Sequence, residues 1–271
     1  MAIDPTRFCI NRKIAPALSL EAFFQLVQRL GLSKVELRND MFSGKVTDDL
    51  SVTELRALTD KYHIEIVTIN ALYPFNRADD ALLAKADAML KEAKAIGAQA
   101  LVMCPLNEGI ERTPQQTLEA LQLLAPRFTE YGIQGLVEPL GFPVSSLRSA
   151  VQTQKLIKQA GVPFKLLLDT FHHHLYENAE NEFPQEIEVN QIGLVHLSGV
   201  EDTRPTAQLT DEERIMLSDR DVLNSVAQVK RLEMLGYKGV YAFEPFSTEL
   251  EKWGAKEIER EVRQSIELLQ A

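Results

Sequence analysis

What most constrains this chain is a rhythm. Eight short, continuously apolar runs recur along it, and most are followed by an amphipathic stretch with apolar residues at helical spacing. The runs fall at residues 8–12, 34–38, 65–72, 100–105, 134–139, 164–169, 192–197 and 239–245. Helices are expected over 20–30, 51–62, 79–96, 114–131, 146–160, 221–235 and 248–269, several closed by a glycine such as Gly97, Gly132 or Gly161. Ser51 followed three positions later by Glu54 has the spacing of a capping box. Unbroken apolar runs, as opposed to alternating ones, are what parallel strands buried on both faces require. The 271 residues divide over eight units at about 34 each, the size of one strand–helix repeat in a closed barrel. The expected fold is an α/β (β/α)8 TIM barrel, with residues 1–271 forming one domain. An open doubly wound sheet would want a glycine-rich turn after the first strand, and Asn11, Arg12, Lys13 and Ile14 do not form one.

Composition excludes several classes. Lys and Arg number 29 against 39 Asp and Glu, a formal charge of −10, and no basic stripe stands out. That argues against a nucleic-acid partner, whose phosphate backbone calls for the opposite sign. Cys9 and Cys104 lie far apart, so no disulfide framework is expected and a reducing compartment fits. The first residues carry an acid at Asp4 and no apolar stretch of signal-peptide length. No apolar run approaches membrane-spanning length. The expectation is a soluble, cytoplasmic protein without a membrane partner; whether it forms a homo-oligomer stays open.

In a (β/α)8 barrel the active site lies at the C-terminal ends of the strands, so the polar residue closing each run is the place to look. Runs five to eight close on Glu138, Asp169, His196 and Glu244. One acid at one strand end commonly just faces solvent. Four consecutive strand ends, each offering a metal ligand, are harder to reach by accident. Three carboxylates and an imidazole suit one divalent ion, with Mn, Mg, Co and Zn all compatible. Glu138 and Glu244 are each followed by proline, which ends the strand and biases the glutamate towards extended backbone. Strands five and eight are three apart in the ring, so these two glutamates are candidates for a proton donor and acceptor pair.

Other strand ends carry groups that suit a polyol: Asn11 and Arg12, Glu36 and Arg38, Asn70, and Asn107 with Glu108. Asn70 is the preferred hydrogen-bonding candidate among them, while Arg38 has the alternative of simply pairing with a nearby acid. Tyr73, Phe75, Phe142 and Phe246 are candidate pocket walls, although aromatics there are often plain core. Trp253 reads as helix packing and His63 as structural. The run His172, His173, His174 is ambiguous. An extended chain would put Asp169, Phe171 and His173 on one side; a chain leaving the strand after Asp169 would turn His172 over the site instead.

Several of these segments together resemble the xylose isomerase-like (sugar phosphate isomerase/epimerase) superfamily of TIM barrels, and within it the inosose isomerases. The carriers are INAL at 69–72, LVEPLG at 136–141, LDTFH at 168–172, Val195 and His196 with Glu201 and Asp202, LTDEER at 209–214, and Phe243 with Glu244. The LTDEER loop is the most specific. The resemblance implies that Glu138, Asp169, His196 and Glu244 hold one divalent metal, and that Glu138 and Glu244 are also the acid/base pair. It implies substrate binding by His172 and a substrate-loop role for Arg214, beside the candidates Asn11, Arg38 and Asn70. The implied activity is isomerisation or epimerisation of a ketose or keto-cyclitol by enediolate proton transfer. A dehydratase of the same fold is the alternative, with an apurinic endonuclease-like nuclease and an idle sugar-binding barrel behind it. One departure stands out: relatives usually follow the arginine with a Pro-Gly-x-Gly segment, absent from residues 215–221. A stiffer or differently shaped loop is expected there.

Overall fold

The computed structural model describes residues 2–271. Eight strands form a closed barrel: β1 (Phe8–Asn11), β2 (Lys34–Arg38), β3 (Glu65–Leu72), β4 (Ala100–Met103), β5 (Gln134–Val137), β6 (Lys165–Asp169), β7 (Ile192–Leu197) and β8 (Tyr241–Phe243). Each pairs in parallel with the next, and β8 closes on β1. The outer ring is α1 (Leu20–Arg29), α2 (Val52–Tyr62), α3 (Asp80–Ile96), α4 (Pro114–Tyr131), α5 (Ala150–Ala160), α6 (Thr170–Leu175), α7 (Ala179–Glu186), α8 (Ser225–Met234) and α9 (Ala255–Gln270). Among the described residues no helix is long and apolar enough to cross a membrane.

Local chemistry sets the helix ends. Ser51 and Glu54 form a reciprocal capping box at the start of α2, and Thr113 and Gln116 do the same for α4. Strand alternation then divides the core in two. Phe8, Ile10, Val35, Leu37, Val195, Leu197, Tyr241 and Phe243 point outward and pack under the helices. Cys9, Val102, Leu136, Leu167, Leu194 and Ala242 fill the barrel's interior. Glu138, Asp169, His196 and Glu244 each stand two positions beyond one of these inward-facing residues. The two-residue period therefore turns all four inward, one layer nearer the C-terminal mouth.

Strand β3 carries a bulge. Val35 pairs with Ile66 but Glu36 pairs with Thr68, so one residue of β3 is extra. After it, Thr68 and Asn70 face inward beside Glu36.

Three helices begin later than the sequence pattern suggests. Ser149, not Ser146, caps the fifth helix, because 142–146 form a turn folded against the neighbouring β4–α4 loop, with Ser146 N–H donating to Leu106 O. Asp221 does not open α8; its carboxylate accepts from the N–H groups of Val200, Leu223 and Ser225 and ties the long loop down. Thr248–Lys252 form a separate 3-10 turn, and α9 starts after Gly254. The histidine-rich segment is helical, not extended. Asp169 caps α6 by accepting from Phe171 N–H at 2.7 Å and His172 N–H at 3.2 Å. That helical turn separates Asp169 and His173, which extended geometry would have placed together. Trp253 packs on the outer core, and exposed His63 ends α2 in the left-handed conformation, as their structural readings required.

Candidate metal centre

The four second-half strand ends meet. Glu138, Asp169, His196 and Glu244 each offer one ligand atom, and these atoms lie within 4.8 Å of one another. All four are buried, His196 completely. His196 Nδ1 stands 2.8 Å from Glu244 Oε2, 3.3 Å from Glu138 Oε1 and 3.8 Å from Asp169 Oδ2. Three carboxylates packed this closely repel one another strongly unless cations stand among them. Two arginines do so. Arg214 Nη2 reaches Asp169 Oδ2 at 2.6 Å and Glu244 Oε2 at 3.2 Å, and Arg38 Nη1 reaches Glu244 Oε1 at 2.6 Å.

The charges respond unequally. Burial raises the Glu138 carboxyl above its ordinary range, and the neighbouring Glu244 and Asp169 charges add to that, against the pull of His196. Burial likewise raises Asp169, with Arg214 opposing. Burial also works against Glu244, but His196, Arg38 and Arg214 outweigh it and hold that carboxyl well below its usual range. Burial pushes the His196 ring down, and the Glu244, Glu36 and Glu138 charges overcome it and raise the ring well above an ordinary histidine. One imidazole and three carboxylates converging in a buried pocket fit the donor set of a divalent ion that takes nitrogen and oxygen ligands. An ion there would add its positive charge to that of the two guanidinium groups.

A cavity of about 430 Å³ opens above the cluster, walled by Arg38, Asn70, Tyr73, Cys104, Phe142 and Phe246 among others. His172 lines it too. Gly141 N–H donates to His172 Nδ1 at 3.0 Å, which leaves Nε2 as the ring nitrogen free for a ligand. Burial, assisted by Arg214, holds this ring down to about 4, so it is neutral at pH 7. The approach requires Gly141, since a Cβ there would lie 2.1 Å from His172 O. Arg214 also lines the cavity, its guanidinium centre 4.5 Å from the ring centroid of Phe246 and 4.7 Å from that of Phe171, with Nε donating to Ser198.

The first-half candidates divide differently. Asn11 is fully buried outside the cavity lining, donating to Glu36 and accepting from Arg38. Asn70 lines the cavity, yet its amide N–H donates to Glu36 and Thr68. Arg38 pairs with Glu244 and, through both Nε and Nη2, with Asp40. Arg12 turns away to Asp48. Phe75 is fully buried core, whereas Tyr73, Phe142 and Phe246 do wall the cavity. His173 packs against Phe183 and Glu180 outside it.

Missing from the sequence reading were Cys104 beside Glu138, Ser198 under Arg214, and the position of Glu36 behind His196. Inward phase counted from Cys9 and Val102 along the strands would have flagged Cys104. The other two depend on cross-strand register. The loop carrying Arg214 is fixed where the Pro-Gly-x-Gly segment is absent: Gly199 and Ile215 bridge through two backbone bonds of 2.7 and 2.8 Å, and Met216 and Leu217 are buried beneath. A cleft of about 440 Å³ between α5 and the start of β6, lined by Lys158, Phe164 and Glu188, lies away from the mouth where the four ligand residues meet.

The structure is thus a closed eight-strand parallel TIM barrel, with a buried carboxylate–histidine cluster at its C-terminal mouth that could hold a metal ion. The chain belongs to the xylose isomerase-like TIM barrel family, whose sequence profile matches residues 24–271. It is similar to an inosose isomerase of Halalkalibacterium halodurans, 25% identical over 85% of this chain and 84% of that one. Among solved structures, it superposes on a xylose isomerase domain containing protein from Salmonella typhimurium with a TM-score of 0.99, 60% identity and full coverage of both chains. It also superposes on the IolI protein, solved with a zinc atom bound, with a TM-score of 0.86, 21% identity, and 97% and 98% coverage.

Proposed function

We propose that this protein is a divalent-metal-dependent isomerase or epimerase of a ketose or keto-cyclitol, with inosose as the preferred substrate class. The observation that carries the reading is the convergence of Glu138, Asp169, His196 and Glu244 within 4.8 Å beneath a polar cavity. The relatedness to inosose isomerases supports the substrate class, and the zinc-bound IolI neighbour supports a metal in this fold.

When bound, a divalent ion supplies Lewis acidity that polarises a substrate carbonyl and acidifies the adjacent C–H. The remaining work belongs to the chain. Glu138 and Glu244, from β5 and β8, are the proton acceptor and donor. Asp169 and His196 complete the ligand set. Arg214, fixed by Ser198 and Phe246 and paired with Asp169 and Glu244, lines the cavity as a substrate-side cation. His172 donates from Nε2, because its Nδ1 already accepts from Gly141. Removal of a proton from one carbon and return to its neighbour gives isomerisation; return to the same carbon gives epimerisation. The test incubates the protein with Mn²⁺ or Zn²⁺ and a panel of inososes and ketoses in D2O, followed by NMR. Solvent deuterium entering the carbon next to the carbonyl without loss of water is the expected result. An alkene would mark a dehydratase and overturn the reading, as would silence with every substrate.

A further inference from the structure

Glu36 takes no part in the proposed proton transfer, yet it occupies the floor beneath the cluster. It sits on β2, on the first-half side of the ring, and is completely buried. Its Oε1 accepts from Thr68 Oγ1 at 2.7 Å and Asn70 Nδ2 at 3.1 Å, and lies 2.9 Å from His196 Nε2. Its Oε2 accepts from Asn11 Nδ2 at 2.9 Å. The Thr68 hydroxyl itself accepts from Asn70 Nδ2 at 3.0 Å, which turns its hydrogen towards Glu36. Three side chains thus aim hydrogens at this carboxylate, and a buried carboxylate without such partners would be costly. The remaining neighbour among the described residues is His196 Nε2, and its contact with an oxygen that only accepts calls for a hydrogen on Nε2. The ring's other nitrogen, Nδ1, is then the one left facing Glu138, Asp169 and Glu244.

We infer that Glu36 is a positioning residue for the metal centre: held by Asn11, Thr68 and Asn70, it anchors His196 through Nε2–H and presents Nδ1 as the ligand atom. The inference rests on the reading of the four-residue cluster as a metal site. It assigns Asn11 and Asn70 to the support of Glu36, in place of the substrate contacts expected from their strand ends. A carboxylate behind a ligating histidine fixes the ring and raises the basicity of the ligating nitrogen, and loss of such a partner typically weakens metal binding 10–100-fold. Thr68 and Asn70 lie two residues apart on β3, and Asn11 pairs directly with Glu36 across β1 and β2, so the anchor is built on strands and not on loops.

The test has two readouts besides turnover. The first is the dissociation constant for Zn²⁺ by competition with a chromophoric chelator, for the wild type, Glu36→Gln and Glu36→Leu. Gln keeps an acceptor for Nε2 but drops the charge; Leu removes both. We expect binding about 10-fold weaker for Gln and about 100-fold weaker for Leu, with circular dichroism reporting whether each is folded. Should the Leu variant fail to fold, Gln carries the comparison. The second readout is NMR of ¹⁵N-histidine-labelled protein loaded with ¹¹³Cd²⁺. Cadmium–nitrogen coupling at His196 Nδ1, with Nε2 protonated, is expected. Coupling at Nε2, or a folded Gln variant that binds Zn²⁺ within twofold of the wild type, overturns the role of Glu36. Failure of the wild type to bind Zn²⁺ or Cd²⁺ overturns instead the metal reading on which it rests.

Discussion

The two halves of the barrel use the same strand geometry for different ends. Strands β5 to β8 each send one potential ligand into the mouth, and these four side chains face one another. Strands β1 to β3 send in Asn11, Glu36, Arg38, Thr68 and Asn70, which mostly bond among themselves and to the acids of the other half. The second half gathers the potential ligands, and the first half braces them while Arg38 and Asn70 also line the cavity. A polar residue at a strand end is therefore not by itself a sign of substrate contact. What decides its role is which neighbour it meets across the ring.

Substitutions sharpen this contrast, beginning with the ligand half. Glu138→Gln is expected to slow exchange of the substrate C–H with solvent deuterium by about 10²–10⁴-fold, the usual loss on removing a positioned acid or base. Most of the bound Mn²⁺ should stay, as measured by equilibrium dialysis. Unchanged exchange would sink the assignment of Glu138. In the bracing half, Thr68→Val removes one donor to a buried carboxylate and leaves the shape nearly intact. The expected cost is about 1.5–3 kcal/mol of stability in urea unfolding, with turnover changed by less than about fivefold, since only one of several braces is lost. A loss of activity comparable to that of Glu138→Gln would erase the distinction between the halves.

The smallest effect concerns His173, next to His172 but turned away from the cavity. Burial, with Arg231 and His174 adding to it and Glu180 opposing, pulls its ring down to about 4. The folded protein then takes up this proton less readily than the unfolded chain, whose histidine titrates near 6.5. Stability contributed by the neutral ring is full above about pH 6.5 and declines as pH falls towards 4. His172 adds a slope of the same sign. His173→Gln should therefore reduce, but not abolish, the drop in urea midpoint between pH 7 and pH 5. An identical drop in both proteins would contradict the buried, neutral state of His173.

Much of the architecture was legible because continuous apolar runs and capping residues are local signals. Ser51 and Glu54 announce α2, and eight runs announce eight strands. The ligand candidates were legible for the same reason: Glu138, Asp169, His196 and Glu244 each close a run. Helix starts were displaced where a polar residue met a non-local partner. Asp221 looked like the opening of a helix and instead binds Val200 N–H across the loop. The bracing network was illegible because it depends on register. Nothing local to Asn70 tells whether its amide meets a substrate or Glu36.

That dependence gives the bulge in β3 an unusual importance. Sidedness along a strand is a matter of parity, and one supernumerary residue inverts it for the residues that follow, here Thr68 and Asn70, until the register shifts again between Ile69 and Leu72. With an uninterrupted pairing, Val67 would oppose Glu36, and Thr68 and Asn70 would be rotated towards the helices. A hydrocarbon would then confront the carboxylate, and two amphiphilic side chains would be stranded in the outer layer. The floor of the centre is thus encoded partly in a count of residues, and a single-codon deletion between Ile66 and Thr68 should be more disruptive than any one side-chain replacement there.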